Sequence, residues 1–142
     1  MLTPNRKPVG FHESEQDIEN EKRIVEAFAK HCNGEARYMP KAYTFDAMIL
    51  RGEKCALVDA RRRKNEMNKY PTLCLSLQKF ISLKAYASFA PTFYLVEWDD
   101  GMAFYEISED VNLPISYMSR NSGNPRDNEP VVQIPINDFK RF

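Results

Sequence analysis

Behind Ser14, apolar residues return at helical spacing: Ile18, Val25, Phe28 and Cys32 form one stripe, which predicts a helix over 14–32. Ser14 followed by Asp17 resembles a helix N-terminus, and Glu15 and Asp17 suit the positive end of the dipole. Gly34 stands where a C-cap belongs. Three strands are expected next, over 36–39, 43–50 and 54–61, the last two joined by the turn Arg51-Gly52-Glu53. Residues 62–70 are polar and irregular. Pro71 is a natural first helical residue, and a second helix is expected from there to about Ser88. Its apolar side chains (Leu73, Leu75, Leu77, Phe80, Ile81, Leu83, Tyr86) nearly encircle it, so it should be buried. Strands over 92–98 and 102–108 flank Asp99-Asp100-Gly101, a strong hairpin turn. Residues 109–130 hold three prolines and read as a long loop, and 131–136 reads as a last strand.

This order describes a single α/β domain over 14–142, a mixed central β-sheet flanked by helices, behind an N-terminal arm at 1–13. A length of 142 residues suits one domain, and 43% hydrophobic residues exclude a mostly disordered chain. Twenty basic residues balance twenty acidic ones, which argues against a polybasic nucleic-acid binder but leaves room for a local basic patch. No apolar run approaches a membrane span, so no membrane partner is expected. Arg6 and Lys7 have no apolar stretch behind them, so no signal peptide is expected. Cys32, Cys55 and Cys74 are scattered and odd in number. They read as reduced thiols in a cytoplasmic setting.

Most chemical motifs are absent. No phosphate-cradling glycine loop, no Gly-x-Ser-x-Gly and no paired zinc histidines occur. His12 and His31 read as surface residues.

Carboxylates on apolar elements are more informative. Asp46 lies in the run Tyr43–Leu50, and Asp59 closes Cys55–Asp59 just before Arg61-Arg62-Arg63-Lys64. A three-residue turn at 51–53 sets Leu50 near Lys54, and hence Asp46 near Val58, one residue from Asp59. Two adjacent carboxylates cost energy unless a cation bridges them, and oxygen-only ligands favour magnesium. Glu21 falls on the same stripe as Ile18, Val25 and Phe28. Each carboxylate taken alone also fits a plain structural role: Asp46 paired with an arginine at a strand edge, Asp59 ending a strand, Glu21 solvated. Taken together with the basic run beyond them, they favour a metal and phosphate site.

Glu21 on a first helix, Asp46 on a second strand, Asp59-Ala60-Arg61 on a third and a helix with Ser76 and Lys79 together resemble the PD-(D/E)xK nuclease superfamily. The likeness continues through Tyr94-Leu95-Val96 and Tyr105-Glu106-Ile107, and covers roughly residues 14–108 with a closing strand at 131–139. It implies a restriction-endonuclease-like fold and a metal-dependent DNA endonuclease, of phage or mobile-element origin or acting as a homodimer. By this resemblance Asp46, Asp59 and the carbonyl of Ala60 would hold Mg2+ or Mn2+, with Glu21 as accessory ligand. Lys79 would contact the substrate backbone or support the site; it fits a snorkelling surface lysine equally well. Arg61, Arg62, Arg63, Lys64 and Lys79 would meet nucleic acid. The implied setting is the cytoplasm of a bacterium or phage-infected cell.

One position departs from the pattern. Arg61 stands where the motif has lysine. Arginine stays charged at any working pH and cannot act as a base, although it can grip a phosphate through two parallel hydrogen bonds. The competing reading is therefore a catalytically inactive nuclease-like domain that binds nucleic acid or protein as an accessory or inhibitor.

Overall fold

The computed structural model describes residues 14–118 and 128–142. The expected arm at 1–13, and residues 119–127 of the expected loop, lie outside the described residues.

Helix α1 (Glu15–His31) begins with a capping box: the Ser14 hydroxyl accepts from the Asp17 N–H while the Asp17 carboxylate accepts from the Ser14 N–H. The buried face is Ile24, Val25, Phe28 and Ala29, so the stripe is rotated from the expected one and Ile18 is exposed. At the other end Asn33, not Gly34, takes the left-handed conformation, with φ 57°. Gly34 serves close approach instead, since a Cβ there would lie 2.6 Å from Ile49 Cγ2. That contact seats the helix exit on the sheet.

The main sheet has six strands: β1 (Glu35–Tyr38), β2 (Ala47–Arg51), β3 (Lys54–Arg62), β5 (Thr92–Trp98), β6 (Gly101–Glu106) and β9 (Lys140–Arg141), in the order β1-β2-β3-β5-β6-β9. Only β3 and β5 are parallel; every other pairing is antiparallel. Side chains alternate across β3. Val58 and Ala60 meet α1, whereas Leu57 joins the core on the opposite face. A second, three-stranded sheet covers that opposite face, with β4 (Thr72–Ser76), β8 (Glu129–Pro135) and β7 (Ile115–Met118) in the order β4-β8-β7. Helix α2 (Leu77–Tyr86) lies on the same side, contributing Phe80 and Leu83 to the core. The mixed α/β single domain expected from the pattern is present, although one face carries a small sheet as well as a helix.

Four local expectations fail for identifiable reasons. Residues 72–76 are a strand rather than the start of the second helix: Leu73 and Leu75 alternate inward and pair with Ile134 and Val132 of β8. Period two was written in Leu73-Cys74-Leu75, and a partner sixty residues away decided between the two readings. The helix that remains is also less buried than expected, with Ile81 58% exposed. Residues 43–46 are not strand, because β2 starts at Ala47. The segment 109–130 is not all loop, since it carries β7 and the first residues of β8.

Candidate active site

The turn between β2 and β3 has two residues, Gly52 and Glu53, not three; Arg51 pairs with Lys54 and Ala47 with Val58. Gly52 supplies the positive φ, 62°, that such a tight hairpin needs. The register does not run on regularly past Ala47: Asp46 and Ala47 both lie opposite Val58, a bulge that keeps Asp46 one residue from Asp59. Asp46 lies just outside β2 yet is pinned there: its N–H donates to the Val58 carbonyl at 3.0 Å and its carbonyl accepts from Met39 at 2.9 Å. Its Oδ2 accepts the Ala60 N–H at 2.8 Å.

Asp59 is 7% exposed. From α2, the Lys79 ammonium reaches Asp59 Oδ1 at 3.4 Å and the Thr44 carbonyl at 2.9 Å. Lys79 is therefore part of the cluster, not a snorkelling surface residue. Burial pushes the Asp46 carboxyl up to about 7, helped by the Asp59 charge and opposed by the Ala60 N–H and Lys79. Burial also raises Asp59, against the pull of Lys79 and Arg61. The pair thus holds onto protons where ordinary carboxylates have lost them.

Arg61, the next-to-last residue of β3, keeps part of its surface in solvent while its guanidinium lies among protein groups beside Tyr94 of β5. Its pKa is raised, first by Tyr94, with Asp59 and Glu21 adding and burial opposing. The Tyr94 hydroxyl is buried and finds no partner at hydrogen-bonding geometry, so the guanidinium is close without being aligned. Glu21 is half-buried on α1 and its charge acts on Arg61. No cluster of three or more His, Cys, Asp or Glu side chains able to hold a metal occurs among the described residues.

The basic run divides. Arg62 is committed to Glu97, at 3.4 Å, and to Asp99, at 2.7 Å, while Arg23 grips Glu97 from α1. Arg63 is half-buried and donates to the Cys74 carbonyl at 3.3 Å. Arg61 and Lys64 alone of the four are exposed. Sequence reasoning missed Tyr94 and Thr44. Tyr94 was findable as an inward residue on the strand beside Asp59, whereas Thr44 takes part through its carbonyl, which no side-chain pattern reports.

Two oxygen-donor carboxylates facing each other, both reluctant to ionise together, are a donor set that suits a divalent cation. The six-stranded mixed sheet, with α1 on one face and the carboxylate pair at the junction of β2, β3 and α2, defines a restriction-endonuclease-like domain. Residues 7–142 match the family described as "Phage putative PDDEXK endonuclease", and the chain belongs to that family. No curated protein sequence matches the chain. Among solved structures it is similar to Archaeoglobus fulgidus Hjc, a Holliday junction resolvase from an archaeal hyperthermophile. That likeness has a TM-score of 0.55 at 12% identity and covers 82% of each chain, so it is one of fold. No helix among the described residues is long and apolar enough to cross a membrane.

Proposed function

We propose that the chain is a metal-dependent nuclease that cleaves DNA phosphodiester bonds within a phage-infected cell. Asp46, Asp59 and the Ala60 carbonyl would hold Mg2+ or Mn2+, with Glu21 as an accessory ligand. When bound, the cation supplies a water of lowered pKa and screens charge on the scissile phosphate. Lys79 fixes the Asp59 carboxylate and presents an ammonium beside it. Arg61 meets the phosphate as an electrostatic clamp, stabilising charge that develops in the transition state. It takes no proton, so the attacking water gives its proton to solvent or to the substrate phosphate.

The observation that carries this reading is the Lys79–Asp59 contact at 3.4 Å. It brings a lysine to the carboxylate pair from α2, although the motif position on β3 is arginine. The second reading, an inactive domain that binds DNA or a protein partner, draws on Arg61 at the motif position and on the finding that no group of three or more potential metal-ligating His, Cys, Asp or Glu side chains occurs among the described residues. Cleavage of duplex, nicked and branched DNA with Mg2+, Mn2+ or chelator separates them. Divalent-dependent cleavage that disappears in Asp59→Ala is expected. Inactivity on every substrate retires the enzyme reading, and cleavage surviving Asp59→Ala means the site lies elsewhere.

A further inference from the structure

The loop that delivers Asp46 carries an exposed aromatic ring. Residues 39–46 are closed at their base by the Met39 N–H donating to the Asp46 carbonyl at 2.9 Å. At the tip, the Tyr43 N–H returns to the Pro40 carbonyl at 3.1 Å, forming a turn in which Ala42 sits at φ 71°. A left-handed conformation is costly for a residue with a Cβ and persists where the surroundings enforce it. They do so here through Thr44, whose carbonyl accepts from Lys79 at 2.9 Å and whose hydroxyl accepts from Tyr86 at 3.2 Å. Tyr43 stands edge-on to Phe45 at 5.1 Å, and Phe45 edge-on to Tyr86 at 5.1 Å. The ring is therefore braced from below, yet it remains 48% exposed. Lys41, two residues before it, is exposed as well.

Three residues of chain separate Tyr43 from Asp46, a span of at most about 11 Å. Nucleotides along a DNA strand are spaced by about 3.4 Å, so the Tyr43 backbone lies within about three nucleotides of a phosphate at the aspartate pair, and its ring within a few more. Aromatic faces near a phosphodiester site take bases that have left their stack, because every base offers a π-face; bases inside an intact duplex have both faces covered.

Resting on the nuclease reading above, we propose that Tyr43 stacks on one unpaired nucleobase flanking the scissile phosphate. The substrate is then DNA whose duplex is interrupted by a nick or branch, not intact duplex, and Lys41 meets a neighbouring phosphate. The test uses the cleavage-blocked Asp59→Asn protein with nicked, branched and intact duplexes carrying 2-aminopurine beside the interruption, whose fluorescence drops on stacking. Stacking predicts quenching on nicked and branched DNA, and a loss of their binding by about 5- to 150-fold in Tyr43→Ala, with intact duplex changed less than twofold. Tyr43→Phe and Tyr43→Trp should keep both properties, and thermal unfolding of all variants should match the parent. Equal losses on interrupted and intact DNA, or no quenching, overturn the stacking role while leaving the nuclease reading in place. Failure of the parent to bind any DNA overturns both.

Discussion

The Lys79 ammonium lies 3.4 Å from Asp59 Oδ1, and the same nitrogen donates to the Thr44 carbonyl at 2.9 Å. One side chain of α2 thus ties together β3 and the loop that carries Asp46. Without it Asp59 keeps its burial and its acidic neighbour but loses its nearest cation. Lys79→Met retains the apolar stem and removes the charge. It should cost about 1–3 kcal/mol at neutral pH, the scale for a hydrogen bond to a charged group left half made. Urea unfolding of the metal-free protein measures this. An unchanged midpoint would mean that Lys79 is not holding the pair.

The aspartate pair also makes a pH prediction. Asp46 titrates near 3.8 when unfolded and at about 7 when folded. Below the lower value both states are protonated and the difference vanishes. As pH rises from 4 to 7 the unfolded chain releases a proton that the folded one retains, so metal-free stability falls through that window and then levels off. The loss is on the order of a few kcal/mol. Asp46→Asn keeps an oxygen for the Ala60 N–H and cannot ionise. Its stability relative to wild type should therefore grow between pH 4 and pH 7.5, as followed by chemical denaturation in chelator. A constant difference across that range would contradict a raised carboxyl.

The parts of the site that were legible in the sequence are those carried by local pattern. Asp59 was visible because a charge at the end of Cys55-Ala56-Leu57-Val58 breaks an apolar run, and Asp46 because it interrupts another. The hairpin between them was legible too, but not its length. Gly52 accepts a two-residue turn as readily as a three-residue one; strand pairing chose the shorter turn, and a bulge at Asp46 kept that residue opposite Val58, beside Asp59, where the longer turn also puts it. The fate of 72–76 was decided by β8, far along the chain, for which Pro71 gave a helical signal and Leu73-Cys74-Leu75 a strand signal. Lys79 was legible as a residue and not as a contact. Starting α2 at Leu77 instead of Pro71 sets the helix turn on which the ammonium emerges.

The basic run at 61–64 should not act as one unit. Arg62 spans Glu97 and Asp99, and Arg63 donates to the Cys74 carbonyl, so these two serve the fold. Lys64 is exposed and is the member of the run, besides Arg61, able to meet a phosphate. Lys64→Ala should lower the slope of log affinity against log salt by about one and leave the unfolding midpoint unchanged. Arg62→Ala should lower the midpoint and leave the slope unchanged. Titrations of fluorescent DNA at several salt concentrations, beside urea unfolding, separate the two. The reverse assignment would show that the ion pairs open to admit DNA.

The position of the lysine can be tested by moving it. In this protein the ammonium reaches Asp59 from α2, while Arg61 fills the motif position on β3. If Arg61 serves only as a clamp, Arg61→Ala should lose most activity, because the developing phosphate charge goes uncompensated. Arg61→Lys keeps the charge and should retain or raise cleavage. Lys79→Ala should abolish cleavage in the wild-type background, since arginine cannot substitute for a lysine that must approach a carboxylate and water closely. The double variant Lys79→Ala, Arg61→Lys restores an ammonium at the motif position and should recover part of the lost rate. Two lysine positions serving one site are coupled, so the effects in that double-mutant cycle should be non-additive. Metal-dependent cleavage by all four proteins, measured under single-turnover conditions, gives the coupling directly. Full additivity, with no recovery in the double variant, would mean that Lys79 supports the fold of the site and takes no part in its chemistry.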